Sequence, residues 1–186
     1  MGIFDFFKKN NKRDEKRKEE IRILEKPDFA EIELNKLTDY YDWTLKYGEG
    51  KLNLDLNFET EMSSQSELNQ IIAFVNEIPE FDNQNQNYIK ADFEQAVSMT
   101  SDYLNFYLDE LSENELAGII DLKSRKKSRS SLLMEKLKLI RVGIYPQESY
   151  FGTFDYSIDI DGEPCNQLLV VQINMDGSLN YITWES

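Results

Sequence analysis

The last third of the chain leaves the folding alternatives least room. Three strand-length runs, "GTFDYSIDI", "QLLVVQINM" and "LNYITWES", succeed one another from Gly152 onward. Asp161-Gly162 and Asp176-Gly177 separate them, and glycine accepts the positive φ that tight hairpin turns demand. With "LKLIRVGIYP" just upstream, these runs predict an antiparallel meander. A second β signal precedes it: Leu52, Leu54, Leu56 and Phe58 alternate with polar residues behind Gly48-Glu49-Gly50. That pattern predicts a hairpin of Tyr41 to Tyr47 and Lys51 to Glu59.

Between the two β regions the period changes. Leu68, Ile71, Ile72 and Val75 fall at helical spacing behind Ser64, and Glu67 stands three residues on as in a capping box. Pro79 is expected to close that helix, and the polar "DNQNQN" run, Asp82 to Asn87, reads as a loop. A longer helix is then expected from Tyr88 to Leu111, with Phe93, Val97, Leu104 and Leu108 on its apolar face. Ser112 and Glu115 repeat the capping pattern and open a short helix through Ile119, Ile120 and Leu122, and a last one follows Ser131. The predicted class is α+β: an antiparallel sheet made of the N-terminal hairpin and the C-terminal meander, with helices packed on one face.

Residues 1–20 are read as a flexible charged arm and residues 21–186 as a single α+β domain. The arm holds too few apolar residues to order itself, apart from the tip "IFDFF". There Ile3, Phe4 and Phe7 share one side of a helix, and Lys8 and Lys9 follow them, the reverse of a secretory signal's order. Phe6 stands where a myristoylation motif wants Ser or Thr. The tip would give at most a weak peripheral membrane contact through Phe4 and Phe7. No run approaches the roughly 18 apolar residues of a transmembrane helix.

Charge narrows the partners. The net charge of -14 is concentrated in residues 23–122, which hold five Lys/Arg against twenty-two Asp/Glu, whereas residues 1–22 carry a small positive excess. Such a field repels nucleic acid and anionic lipid and attracts cations. No nucleic-acid partner is expected.

Residue chemistry narrows the function further. The chain has no histidine and one cysteine, Cys165, so Ser-His-Asp, Cys-His and HExxH sites, Cys/His zinc cages and internal disulfides are all excluded. The single thiol points to a reducing, cytoplasmic compartment. No GxxxxGK[ST] or GxGxxG occurs, and nothing in the sequence implies a cofactor. In "SIDIDGEPCNQL", Asp159, Asp161 and Gly162 match the third, fifth and sixth positions of a calcium loop, but Ser157 and Leu168 replace its first carboxylate and its closing glutamate. A hairpin turn fits better. Asp155, Asp159 and Asp161 still form the one dense acidic set worth testing as a metal or catalytic site. Tyr150 and Phe151, in "PQESYFG", are expected as exposed loop aromatics that contact a partner.

The strand motifs "VGIYP", "FDYSI", "LLVV" and "ITWES" resemble an uncharacterised bacterial family, domain of unknown function two-thousand-and-four, over roughly the C-terminal half. The resemblance implies an α+β fold and a bacterial cytoplasmic protein, and it carries over no catalytic residue. The expected function is a non-catalytic interaction protein whose acidic surface, Glu113 and Glu115 included, binds a basic partner, as an immunity-type or inhibitory protein would. A carboxylate- or metal-dependent enzyme and a small-molecule-binding module stay open beside it.

Overall fold

The computed structural model describes residues 23–29, 32, 40–58 and 64–185. The arm, with Phe4 and Phe7, lies outside the described residues. Two strands come first, β1 (Tyr40–Tyr47) and β2 (Gly50–Asn57). Five helices follow: α1 (Gln65–Asn76), α2 (Ile78–Phe93), α3 (Met99–Glu110), α4 (Glu113–Ile119) and α5 (Arg129–Met134). The chain closes with β3 (Lys138–Ile144), β4 (Gly152–Ser157), the short pair β5 (Asp159–Ile160) and β6 (Glu163–Pro164), β7 (Leu168–Ile173) and β8 (Leu179–Glu185). The fold is α+β, with one six-stranded sheet in the order β1-β2-β3-β4-β7-β8. Every neighbouring pair is antiparallel except β2 and β3, which run parallel. That single parallel pair joins the hairpin to the meander, and the helices form the crossover it requires.

Alternation along the strands sends Leu45, Leu52, Leu54, Leu56, Val142, Ile144, Phe154, Tyr156, Leu169 and Val171 to one buried face. The helices pack there. Phe74 of α1 and Phe81 of α2 meet Phe154 with ring centroids 6.3 and 6.4 Å apart, and Phe106 of α3 lies 5.4 Å from Trp184 of β8. Residues Ile23 to Glu25 extend the sheet beside β1, through Glu25 N–H to Lys46 O at 2.9 Å and Gly48 N–H to Ile23 O at 3.2 Å.

The middle of the chain departs from its expected helix boundaries. Asn76 ends α1, Glu77 caps it, and Pro79 opens α2 instead of closing α1. A first-turn proline sacrifices no hydrogen bond, because that N–H has no intrahelical partner. Asp82 to Asn87, expected as a loop, are helical. Their buried face is polar: Asp82 is 1% exposed and accepts the hydroxyls of Tyr47 at 2.7 Å and Tyr156 at 2.9 Å, and Asn85, about one helical turn on, is fully buried. A polar inward face hides the helical period from any apolar count.

The expected helix from Tyr88 to Leu111 is two helices. Asp92 Oδ2 accepts Ser98 Oγ–H at 2.9 Å and Thr100 N–H at 2.8 Å, and Ser98 Oγ caps Ser101 N–H at 2.9 Å. Those three bonds turn the chain between α2 and α3 and leave Val97, expected on the apolar face, 81% exposed. The cap at Ser112 behaves as the sequence suggests, with Ser112 and Glu115 forming a reciprocal capping box. Among the described residues no helix is long and apolar enough to cross a membrane.

Gly177, in the turn between β7 and β8, has φ +81, and a Cβ there would stand 2.6 Å from Phe81 Cε1. Gly162 has φ +89 with open space around it. Gly162→Ala is therefore expected to lose only about 1 kcal/mol of backbone preference, and Gly177→Ala a further 1–3 kcal/mol from overpacking. Urea denaturation of the two variants checks this; equal losses would show that the β7–β8 turn is not seated on α2.

Candidate functional site

The sheet face away from the helices is polar. Two rows cross all six strands in register. One holds Asp42, Asp55, Gly143, Thr153, Gln172 and Tyr181, and the other holds Thr44, Asn53, Arg141, Asp155, Val170 and Thr183. Two adjacent polar rows on strands whose opposite side chains are core residues mark the face that the helices leave uncovered.

Arg141 organises its centre. Nε and Nη2 donate to Asp55 Oδ1 and Oδ2 at 2.6 and 2.7 Å, and Nη1 donates to Asp155 Oδ2 at 2.7 Å. Asn57 Nδ2 also donates to Asp55 Oδ2, at 2.8 Å. Both carboxylates are 4% exposed and the guanidinium is 34% exposed. Three strands, β2, β3 and β4, are tied by one cation in a planar, two-sided fork. Burial disfavours the Arg141 charge, but hydrogen bonds to Asp155 and Asp55 outweigh it and hold the guanidinium above its ordinary pKa. Asp155 is also raised: burial is the largest influence, Arg141 pulls it down by its hydrogen bond and its charge, and the Asp55 and Glu185 charges push it up again.

Tyr145 roofs the cluster. Its hydroxyl accepts from Arg141 Nη2 at 3.0 Å. Its ring crosses Gly143, where a Cβ would come within 2.8 Å of both Tyr145 Cε2 and Thr153 Oγ1. Tyr150 packs edge-on against Tyr145 at 5.4 Å. Beneath them, Thr153 and Gln172 are each 6% exposed, and Thr153 Oγ1 and Gln172 Oε1 lack a hydrogen-bond partner. Beside Arg141 a shallow depression of about 280 Å³ is lined by Tyr40, Asp42, Thr44, Asn53, Asp55 and Arg141, with Trp43 and Leu54 at its margin.

The sequence-predicted residues are scattered. Of the acidic set, Asp155 belongs to the Arg141 cluster, Asp159 pairs with Lys138, and Asp161 sits at the β5–β6 turn with φ 54. Among the described residues no group of three His, Cys, Asp or Glu side chains is placed to hold a metal. Glu113 is exposed but engaged by Arg129 at 2.7 and 3.3 Å. Glu115 is held below the usual carboxylate range by hydrogen bonds from the Ser112 hydroxyl and N–H. Phe151, expected as an exposed loop aromatic, is buried with its ring 4.7 Å from Phe74. The cause is backbone pairing, since Tyr145 N–H to Phe151 O and Phe151 N–H to Ile173 O, both 2.9 Å, carry the chain back onto the sheet before β4 begins. Tyr150 is half-buried on the polar face.

Sequence reasoning missed Arg141 and Asp55. The available signal was a charge of opposite sign in the middle of each of two strands, "LNLDLNF" and "KLIRVGI". The chain matches no protein-family model, no curated protein and no solved structure.

Removing Arg141 would leave two buried carboxylates facing each other. Arg141→Met is expected to cost about 2–4 kcal/mol, somewhat below the figure for a fully enclosed pair because the guanidinium is a third exposed. Adding Asp55→Asn and Asp155→Asn to it should restore most of that loss in urea denaturation. Failure to recover would mean that packing of the arginine stem, not charge, is what the substitution destroys.

The raised pKa of Asp155 sets a pH dependence. A carboxyl raised on folding contributes its stability below about pH 4, the unfolded-chain range, and loses it as pH rises through the native value. Asp155→Asn should consequently gain stability relative to the native chain between pH 3 and pH 7. A difference that stays flat, or moves the other way, would show that Arg141 dominates the Asp155 environment.

Proposed function

We propose that this chain is a non-catalytic interaction protein whose acidic surface recognises a basic partner, as an immunity-type or inhibitory protein covers a cationic toxin or a nucleic-acid-binding protein. The observation that carries it is the charge on α1 to α4: between residues 64 and 122, nine carboxylates are exposed against one exposed lysine, Lys90, and the exposed basic residues of the helical layer are gathered in the connector Lys123 to Arg129 that leads into α5. Of the expected pair, Glu113 is neutralised by Arg129. The field therefore centres on Glu77, Glu80, Glu94, Asp102, Asp109 and Glu110, all exposed. Steering by such a field raises the association rate and excludes anionic competitors. The enzyme alternative loses support because Asp155, Asp159 and Asp161 hold separate partners or positions. The small-molecule alternative draws no support from the depression beside Arg141, whose lining is mostly polar where ligand pockets are mostly apolar. A bacterial, cytoplasmic setting accompanies this proposal.

Affinity capture from cell extract at low ionic strength, followed by binding kinetics, tests it. A specific basic protein should be retained, and its on-rate should fall as salt shortens the screening length to about 8–10 Å. Charge reversal at Glu77, Glu80, Asp102 and Asp109 should slow that on-rate by about tenfold or more, with reversal of the exposed Asp161, Glu163 and Asp176 at the meander turns having little effect. A partner whose association ignores both salt and reversal, or no basic partner at all, would reduce the charge to a solubility device.

A further inference from the structure

We propose that the partner docks on the open face of the sheet, with one of its arginine side chains seated in the depression between Tyr40, Asp42 and Arg141. This rests on the proposed function and names its contact surface. The face carries more acceptors than its own donors satisfy. Arg141 supplies the cationic hydrogen bonds to Asp55 and Asp155. Asp42 lies directly across from Asp55 in the β1–β2 register, and it is exposed and ion-paired to no described residue. Opposed like charges on a strand pair are unfavourable unless a cation joins them. A donor-rich cation complements the exposed Asp42 beside Asp55; an anion does not.

The shape favours one side chain over a free ligand. The depression of about 280 Å³ is shallow and polar, and the Tyr40 ring, 52% exposed, stands at its rim. A guanidinium offers a planar fork to paired carboxylates and stacks on an aromatic face, which a lysine ammonium does less well. Lys46 and Lys51, opposite each other nearer the β1–β2 turn, leave the Asp42 end of the face as its acidic end.

The test titrates N-acetyl-arginine amide into the full chain, with N-acetyl-citrulline amide as the uncharged isostere, while backbone amide NMR spectra are recorded. Saturable shifts should localise to residues 40–44, 53–55 and 141, and the citrulline probe should bind about tenfold more weakly because it lacks the charge-assisted hydrogen bonds. Asp42→Asn should weaken arginine binding by a similar factor without lowering the melting temperature, since it removes one of two opposed carboxylates. Glu80→Lys with Asp102→Lys should leave arginine binding unchanged. Absence of saturation, equal binding of citrulline, or shifts confined to the helices would overturn the site. Capture of a basic protein that is lost on helical charge reversal yet indifferent to Asp42→Asn would also overturn it, and would leave the proposed function standing.

Discussion

The parallel pairing of β2 with β3 is the junction on which the rest of the structure depends, because among the described residues no other strand pairing joins the hairpin to the meander. Loop closure over the intervening helices opposes that junction entropically, and only non-local contacts can offset the cost. Two charged groups supply such contacts from opposite faces of the sheet. Arg141 joins β2 to β4 across β3 on the open face, and Asp82 of α2 joins Tyr47 of β1 to Tyr156 of β4 on the helical face. The hairpin and the meander are thereby clamped in one register from both sides.

Neither clamp is an economical source of stability. Two carboxylates and a guanidinium withdrawn from water regain through pairing roughly what desolvation costs, and apolar residues of equal volume would do as well or better. Tyr156 illustrates the strain in the opposite sense: burial, together with the Asp82 charge, raises its phenol well above the ordinary value, so it remains a hydrogen-bond donor. What these groups contribute is discrimination. An apolar pair tolerates a slip by two residues along the strand, whereas the same slip would carry Arg141 from opposite Asn53 to opposite Lys51, a like charge, or Asp55, and would break the geometry of its fork to Asp55 and Asp155.

The strands were legible because each obeys period two and because Asp-Gly pairs mark the turns, as Asp161, Gly162 and Gly177 with their positive φ show. The helical middle was less legible for a physical reason. The inward face of α2 uses Asp82 and Asn85, so the segment looks solvated, and Pro79 carries the same letter whether it ends a helix or begins one. The site was the least legible part, since Asp55 and Arg141 are 86 residues apart and only the parallel pairing brings them together. A single sequence shows two charged residues in two strands; it does not show that the strands are neighbours.

The two faces also divide the chemistry of the surface. On the helical side the carboxylates lie outermost, on residues such as Glu80 and Asp102 that no core contact requires. On the sheet side Asp55 and Asp155 are buried in contact with a cation, and Tyr145 lies over that cation because Gly143 leaves room for its ring. Helical charge can vary in position without disturbing the fold, which suits long-range attraction that depends on the sum of charges. Sheet-face charge is fixed by register to within a side chain's reach, which suits short-range recognition that depends on where each acceptor points. On the proposed function, steering and recognition on opposite faces would impose different demands on sequence, and that separation would account for an acidic surplus in which some carboxylates are exposed and unconstrained while others are buried and held.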